Sequence, residues 1–253
     1  MKTLATTFRH LLLATALPAA FVFSACGDDD DDPVAPQQGK VLVVHAAPSA
    51  NSAVKVLVGD KEVGQATYGQ SSSYVTVNAG AQAVKVNDAS SNQTIINPAP
   101  SITIEKDKNY SIFAYSPTTT LGSIGALTVP DDLTAPAAGK AKIRIVHLGL
   151  SAPSPVTLSL PAPTVGVTDI IPNVAFATTS AFVELAPNTY NLSISTGSGA
   201  TAVVEASVGD GTGTGTGSKA YLAGKIYTVL VRGIKLNSID ANLRLKAVVI
   251  ENN

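Results

Sequence analysis

The sequence predicts an all-β protein, built as two tandem β-sandwich domains behind an export segment. Three observations carry this. Hydrophobic residues make up 45% of the 253-residue chain and charged residues only 14%, against roughly 25% charged in an average globular protein. The apolar residues are Val, Ile, Ala and Leu interleaved with Thr and Ser, and β-branched side chains fit a pleated, half-buried surface better than a helix. Finally, blocks of sequence recur in the same order farther along the chain, as duplicated domain-sized segments do.

Residues 1–25 read as a lipoprotein signal peptide. Lys2 and Arg9 give a positive start, LLLATALPAAFVF (11–23) is a 13-residue apolar core, and FSA (23–25) places small residues before Cys26. An apolar run of that length suits a signal-peptide core and falls short of the about 20 residues of a membrane-spanning helix. An ordinary signal peptide with an incidental cysteine, or a short anchor helix, is the plainer alternative. Cys26 is the only cysteine, so no internal disulfide can form, and an exported free thiol asks for a role. Lipidation supplies one, and Cys26 is the predicted attachment site. The segment resembles the bacterial lipobox, although Phe23 stands where Leu is usual.

Residues 26–39 read as a tether. Five consecutive aspartates, Asp28 to Asp32, precede PVAPQQG (33–39). Like charges repel and stay solvated, and the Pro/Gln stretch cannot continue a helix or a central strand. The run lacks the alternating ligands and turn glycine of an EF-type calcium loop. It resembles the acidic surface-export signal of lipoproteins in the Bacteroidota, which implies display at the cell exterior.

The remainder is predicted as domain 1 (40–133) and domain 2 (140–253). VLVVHA (41–46) parallels KIRIVHL (142–148), with His45 on His147; SYVTVNAGAQAVKV (73–86) parallels AFVELAPNTYNLSI (181–194); NYSIFAY (109–115) parallels IYTVLVR (226–232). The offset rises from 102 (His45 to His147) through 108 (Tyr74 to Phe182) to 117 (Tyr110 to Tyr227). The second copy therefore carries longer loops, one of them GTGTGTG (211–217). Each copy alternates with period two between turn signals. SYVTV (73–77), the turn NAG (78–80) and AVKV (83–86) read as a hairpin, as do the matching segments around APN (186–188). VKVLV (54–58) with Gly59 and Asp60 is another strand and turn. PDDLTAPAAG (130–139) reads as the link between copies.

VVHAAPSANSAVKVLV, the YGQSSSYVTV block, the Ala-Gly turn and the NYSIFAY strand resemble tandem modules of the domain-of-unknown-function family forty-three ninety-seven. The likeness covers nearly all of 40–253 and is stronger in copy one. Copy two departs where LGL (148–150) stands in place of AAP (46–48). The resemblance implies an extracytoplasmic, immunoglobulin-like or prealbumin-like sandwich, and implies no activity.

Chemistry-bearing residues are few. His45 and His147 are the candidates, but a metal or general-base role needs a partner ligand or acid, and no HExxH, HxH or adjacent carboxylate accompanies either. Both are predicted to be structural, hydrogen-bonded to a neighbouring strand. GTGTGTGSK (211–219) has the order Gly-Ser-Lys and is followed by a predicted strand, whereas a phosphate loop needs Gly-Lys-Ser/Thr opening a helix; it reads as a flexible loop. No GxSxG elbow occurs among the serines. Asp131 and Asp132 fall in the predicted link, where solvated carboxylates aid solubility. Tyr68, Tyr74, Tyr110 and Tyr115 have the rings to stack on a sugar, yet most are expected to be buried with satisfied hydroxyls.

No catalytic residue, metal site or cofactor is therefore predicted. A formal net charge of −1 with scattered Lys and Arg sets nucleic acid aside. The expected role is a non-enzymatic binding or adhesion module. It is held in the cell envelope by its lipid, at the outer membrane and exposed at the surface, with an unknown protein or glycan ligand. The alternative is a structural or accessory subunit of an outer-membrane complex, packing through exposed strand edges.

Overall fold

The computed structural model of the protein describes residues 36–50, 52–96, 100–162 and 165–253. The signal segment, Cys26 and the acidic run lie outside the described residues. Pro36–Asn253 is one compact unit. The described residues form strands and one three-residue 3₁₀ turn, Gly199–Thr201, and no helix among them is long and apolar enough to cross a membrane. The all-β sandwich expected from composition and period is the architecture observed.

The first half comprises β1 (Gln38–Ala46), β2 (Val54–Val58), β3 (Lys61–Ala66), β4 (Val75–Asn78), β5 (Gly80–Asp88), β6 (Ser101–Ile104), β7 (Asn109–Tyr115) and β8 (Gly125–Asp131). The second comprises β9 (Ala141–His147), β10 (Val156–Pro161), β11 (Val167–Val174), β12 (Thr178–Thr179), β13 (Val183–Leu185), β14 (Asn188–Tyr190), β15 (Ser193–Thr196), β16 (Val203–Ser207), β17 (Lys219–Tyr221), β18 (Ile226–Arg232) and β19 (Lys246–Glu251). Each half sets two sheets face to face. In the first they run β4-β1-β7-β8 and β3-β2-β5-β6; in the second, β12-β9-β18-β19, with β13 also on β9, and β11-β10-β15-β16, beside a separate two-stranded sheet β14-β17.

Two inner sheets share an apolar layer of their own. Val41 and Val43 of β1 point into the first half's core with Val54, Val56, Val84, Val86 and Ile112. Their neighbours Leu42, Val44 and Ala46 point the other way, and with Phe113 and Val129 they meet Val146, Leu148, Leu230 and Val248 of the second half. The sheets therefore stack four deep, and β1, β7, β9 and β18 are buried on both faces. That explains their near-continuous apolar sequence. It also fits the parallel pairing of β1 with β7 and of β9 with β18, because parallel strands sit in sheets covered on both sides.

The expected hairpin over 73–86 is not formed. β4 pairs with β1 while β5 pairs with β2 and β6, so the chain passes from one sheet to the other at Ala79. Gly80, at φ 107°, provides the backbone conformation of that corner. The second half repeats the departure, with β13 on β9 and β14 on β17. An alternating strand, a turn and another alternating strand are common to a hairpin and a corner, and period alone cannot separate them. The two-residue turn at Gly59 and Asp60 does close a hairpin, with Val58 opposite Lys61.

The expected link is also tied down. β8 runs through Pro130 and Asp131, Lys142 Nζ donates to Asp132 Oδ2 at 3.1 Å, and the Ala137 amide donates to Glu184 Oε1 at 3.1 Å. Asp131 is not a solvated linker carboxylate; its side chain is fully buried. The 211–217 loop lies across β19, where the Val249 amide donates to the Gly211 carbonyl at 2.8 Å. A Cβ on Gly213 would fall 2.7 Å from Val248 Cγ1, which accounts for a glycine there.

Candidate binding site

Two features stand between the halves: a closed polar ring, and a pair of histidine niches. The ring starts at Asp131, whose Oδ1 accepts from Arg144 Nη2 at 2.5 Å. Its Oδ2 accepts from Tyr74 Oη at 2.6 Å and from Ser111 Oγ at 2.7 Å. Arg144 Nε donates to Thr228 Oγ1 at 3.0 Å and Nη1 to the Pro130 carbonyl at 3.1 Å. Thr228 in turn donates to Asn252 Oδ1 at 2.8 Å, and Asn252 Nδ2 closes the ring on Tyr74 Oη at 3.3 Å. The Arg144 guanidinium also lies 4.6 Å over the Phe182 ring. Tyr74, Ser111 and Asp131 come from the first half, Arg144, Thr228 and Asn252 from the second. Burial, and then the Asp131 charge beside it, raises the Tyr74 hydroxyl well above its usual range, so it remains a donor.

A buried ion pair gains net energy only when its remaining donors and acceptors are satisfied. Here they are, and the consequence is positional: the ring forms in one register of the two inner sheets.

The histidine niches occupy matching places. His45 is the penultimate residue of β1 and His147 the last residue of β9, and both are fully buried. Gly69 and Ala177 donate backbone bonds to the His45 and His147 carbonyls, each at 2.8 Å. The Ser72 hydroxyl accepts from the Val43 amide at 3.0 Å, and the Ser180 hydroxyl accepts from the Ile145 amide at 3.1 Å. Each imidazole Nδ1 accepts from the amide two residues on, Ala47 at 3.3 Å and Gly149 at 3.4 Å. That leaves Nε2 as the protonated nitrogen in both rings. His45 Nε2 donates to the Ser52 carbonyl at 3.2 Å, whereas His147 Nε2 is buried without a partner.

Each ring also meets an aromatic edge: His45 on Tyr68 and His147 on Phe176, both at 5.8 Å between centroids. The opposite half covers each aromatic in turn. Arg232 of β18 lies 4.5 Å over Tyr68, and Tyr115 of β7 packs 6.2 Å from Phe176. Burial lowers the His147 pKa to about 4. The His45 pKa is lowered chiefly by burial; the Ser52 bond opposes that and the nearby Arg232 charge adds to it. Among the described residues no group of three or more His, Cys, Asp or Glu is placed to hold a metal ion.

The two niches differ in one respect. Arg232 is 8% exposed, its Nε and Nη1 have no hydrogen-bond partner, and neither does the buried Tyr68 hydroxyl. Removing a guanidinium from water costs several kcal/mol, of which a desolvated cation–π contact returns about 2 kcal/mol. Beside this niche is a depression of about 360 Å³, lined by Ala50, Ser52, Ala53, Thr67, Tyr68, Asp240, Asn242 and Leu243. Sequence reasoning singled out the two histidines, Tyr68 and Tyr74, read Asp131 as a solvated linker acid, and passed over Arg144 and Arg232. The available signal was a charged residue inside an otherwise apolar strand, as in AKIRIVH and IYTVLVR.

These features define a class: an all-β protein of two face-to-face sandwiches, locked through a shared inner layer. Residues 39–156 match the model of family DUF4397, a domain of unknown function, and that segment is a member of the family. No curated protein matches. Among solved structures, a candidate cell adhesion protein from Bacteroides eggerthii is similar at 9% identity and TM-score 0.27, over 86% of this chain and 96% of that one. A leucine-rich repeat protein from Bacteroides thetaiotaomicron is similar at 13% identity and TM-score 0.20, over 78% of this chain. The chain spans about a quarter of that protein's length, 26%.

Proposed function

We propose that this is a non-enzymatic binding protein of the cell envelope, carried at the outer membrane by lipid on Cys26 and displayed through its acidic tether. Its two halves are copies of one module that act as a single rigid body. The observation that carries the reading is the fused inner layer with its closed polar ring. Rigid sandwiches held in one register present their end loops in fixed relation, and loops positioned by a rigid scaffold commonly carry recognition. The depression beside Tyr68 is such a loop site, and its size suits a small group rather than a flat protein face. The N-terminal sequence, with its positive start, apolar core and FSAC junction, supports the anchor.

Pull-down of a tagged full-length chain from intact cells tests the reading. Recovery with a soluble or glycan ligand supports a binder. A stable, stoichiometric membrane complex would instead make the protein an accessory subunit.

A further inference from the structure

We infer that β8 is a homophilic docking edge, which pairs antiparallel with β8 of a second copy of this chain anchored on a facing surface. The inference names a partner for the binding role proposed above and rests on the anchor in that reading. β8 is an edge strand of the sheet β4-β1-β7-β8. Pro130 has no N–H, so its pairing with Tyr110 is one of the ladder's non-hydrogen-bonded pairs. By alternation, the amides and carbonyls of Ala126 and Thr128 point away from β7. They have no backbone partner among the described residues, and both residues are only half-buried.

The second half occupies the matching place with its own chain. Its edge strand β19 pairs with β18 as β8 does with β7. There the outward amide of Val249, which matches Thr128, donates to the Gly211 carbonyl at 2.8 Å. Ala247 is fully buried, whereas Ala126, its match, is not. The offset between the halves grows from 108 to 117 over the stretch that holds the 211–217 loop, so the first half has no segment of that length to lay along β8. Open edges are commonly guarded by charge: β3 carries Lys61 and Glu62, β11 Asp169 and β16 Glu205. SPTTTLGSIGALTVP (116–130) carries none.

This edge is complementary to itself. A two-fold axis at Ala126 sets Ala126 opposite Ala126, and Thr128 opposite Ile124, of the second copy, and leaves Pro130 outside the paired stretch. An axis at Thr128 would set Ala126 opposite Pro130, which lacks a donor and whose carbonyl already accepts from Arg144 Nη1 at 3.1 Å. The antiparallel sense brings the start of one β8 beside the end of the other. Leu121, 81% exposed, then lies towards a depression of about 640 Å³ whose lining includes Tyr110, Pro130 and Leu133 of the second copy. β1 begins at the Asp131 end of β8, because Lys40 opposes Asn109 and Asn109 opposes Asp131. Opposed strands therefore put the two chain entries at Gln38 at opposite ends of the pair, as anchoring on facing surfaces requires.

Vesicles bearing the purified full chain test this. By light scattering they should cluster with one another and not with empty vesicles. Thr128→Pro removes an outward amide and no ladder bond, so it should abolish clustering with the melting temperature unchanged. Ala126→Cys should give a disulfide-linked dimer under mild oxidation, since opposed hydrogen-bonded residues lie about 5.5 Å apart between Cα atoms, within disulfide reach. The native chain, whose only cysteine is Cys26, and Val203→Cys on β16 should not. An Ala126→Cys dimer no more abundant than in those two controls would overturn the pairing, as would clustering that survives Thr128→Pro. A dimer of Ala126→Cys in detergent without clustering of native vesicles would overturn the facing arrangement. A chain that carries no lipid would remove the anchor, while the Ala126→Cys disulfide in solution would still decide the pairing.

Discussion

Arg144 and Asp131 form a buried ion pair across the boundary between the halves, at 2.5 Å, with side chains 1% and 0% exposed. Thirteen positions separate them in the chain, and the segment between passes through the expected link. The pair is enclosed by Tyr74, Ser111, Thr228 and Asn252, so removing either member strands its partner in a dry site.

Arg144→Met and Asp131→Asn should each destabilise the protein by about 3–5 kcal/mol, the usual result of leaving one buried charge unpaired. The double variant Arg144→Met with Asp131→Asn should lose much less than the two together. Denaturant unfolding of all four proteins measures this, and additive losses would show that the pair does not act as a unit.

Burial of His147 should make stability depend on pH. Its pKa falls from 6.5 to about 4 on folding, so above neutrality it is uncharged in both states and contributes nothing. As pH drops below 6.5 the unfolded chain takes up a proton that the folded chain refuses. Stability should fall progressively down to about pH 4 and then level off, by roughly 3 kcal/mol from this group. Thermal melts at stepped pH should show a shallower decline in His147→Gln than in the native protein.

The two histidines should not behave independently. Arg232, which covers the His45 niche, is the next residue after the strand partner of His147, and Tyr115, next to the strand partner of His45, packs on the aromatic that meets His147. Separate domain cores would make losses from His45→Gln and His147→Gln add. The shared layer predicts a coupling of about 0.5–1 kcal/mol between them, each single change costing about 1–3 kcal/mol. Unfolding of the single and double variants provides the cycle.

Cys26→Ser should release the protein from the membrane fraction and abolish acyl labelling. Replacing Asp28–Asp32 with Ala should leave it membrane-bound but shielded from protease added to intact cells. Fractionation and protease accessibility read the two effects separately.

Periodicity in the sequence determined the β class, the buried faces of most strands and the place of most turns, because side-chain alternation is a local property that any half-buried strand must obey. It determined equally that β1 and β18 carry apolar residues on both faces, as VLVV (41–44) and IYTVLV (226–231) do. Only the tertiary structure decided what those second faces meet. The same local pattern serves a hairpin or a corner between sheets, so the partners of β4 and β5 had to come from packing. Asp131 looked like a linker acid because its neighbours are Pro, Ala and Gly; its burial depends on Arg144, and on a ring closed by an Asn252–Tyr74 bond that spans 178 positions. Arg232 reads as one more scattered cation until β18 carries it over Tyr68. Charges are placed by whichever groups the fold brings within a few ångströms, and that energy is non-local, so no window of sequence contains it.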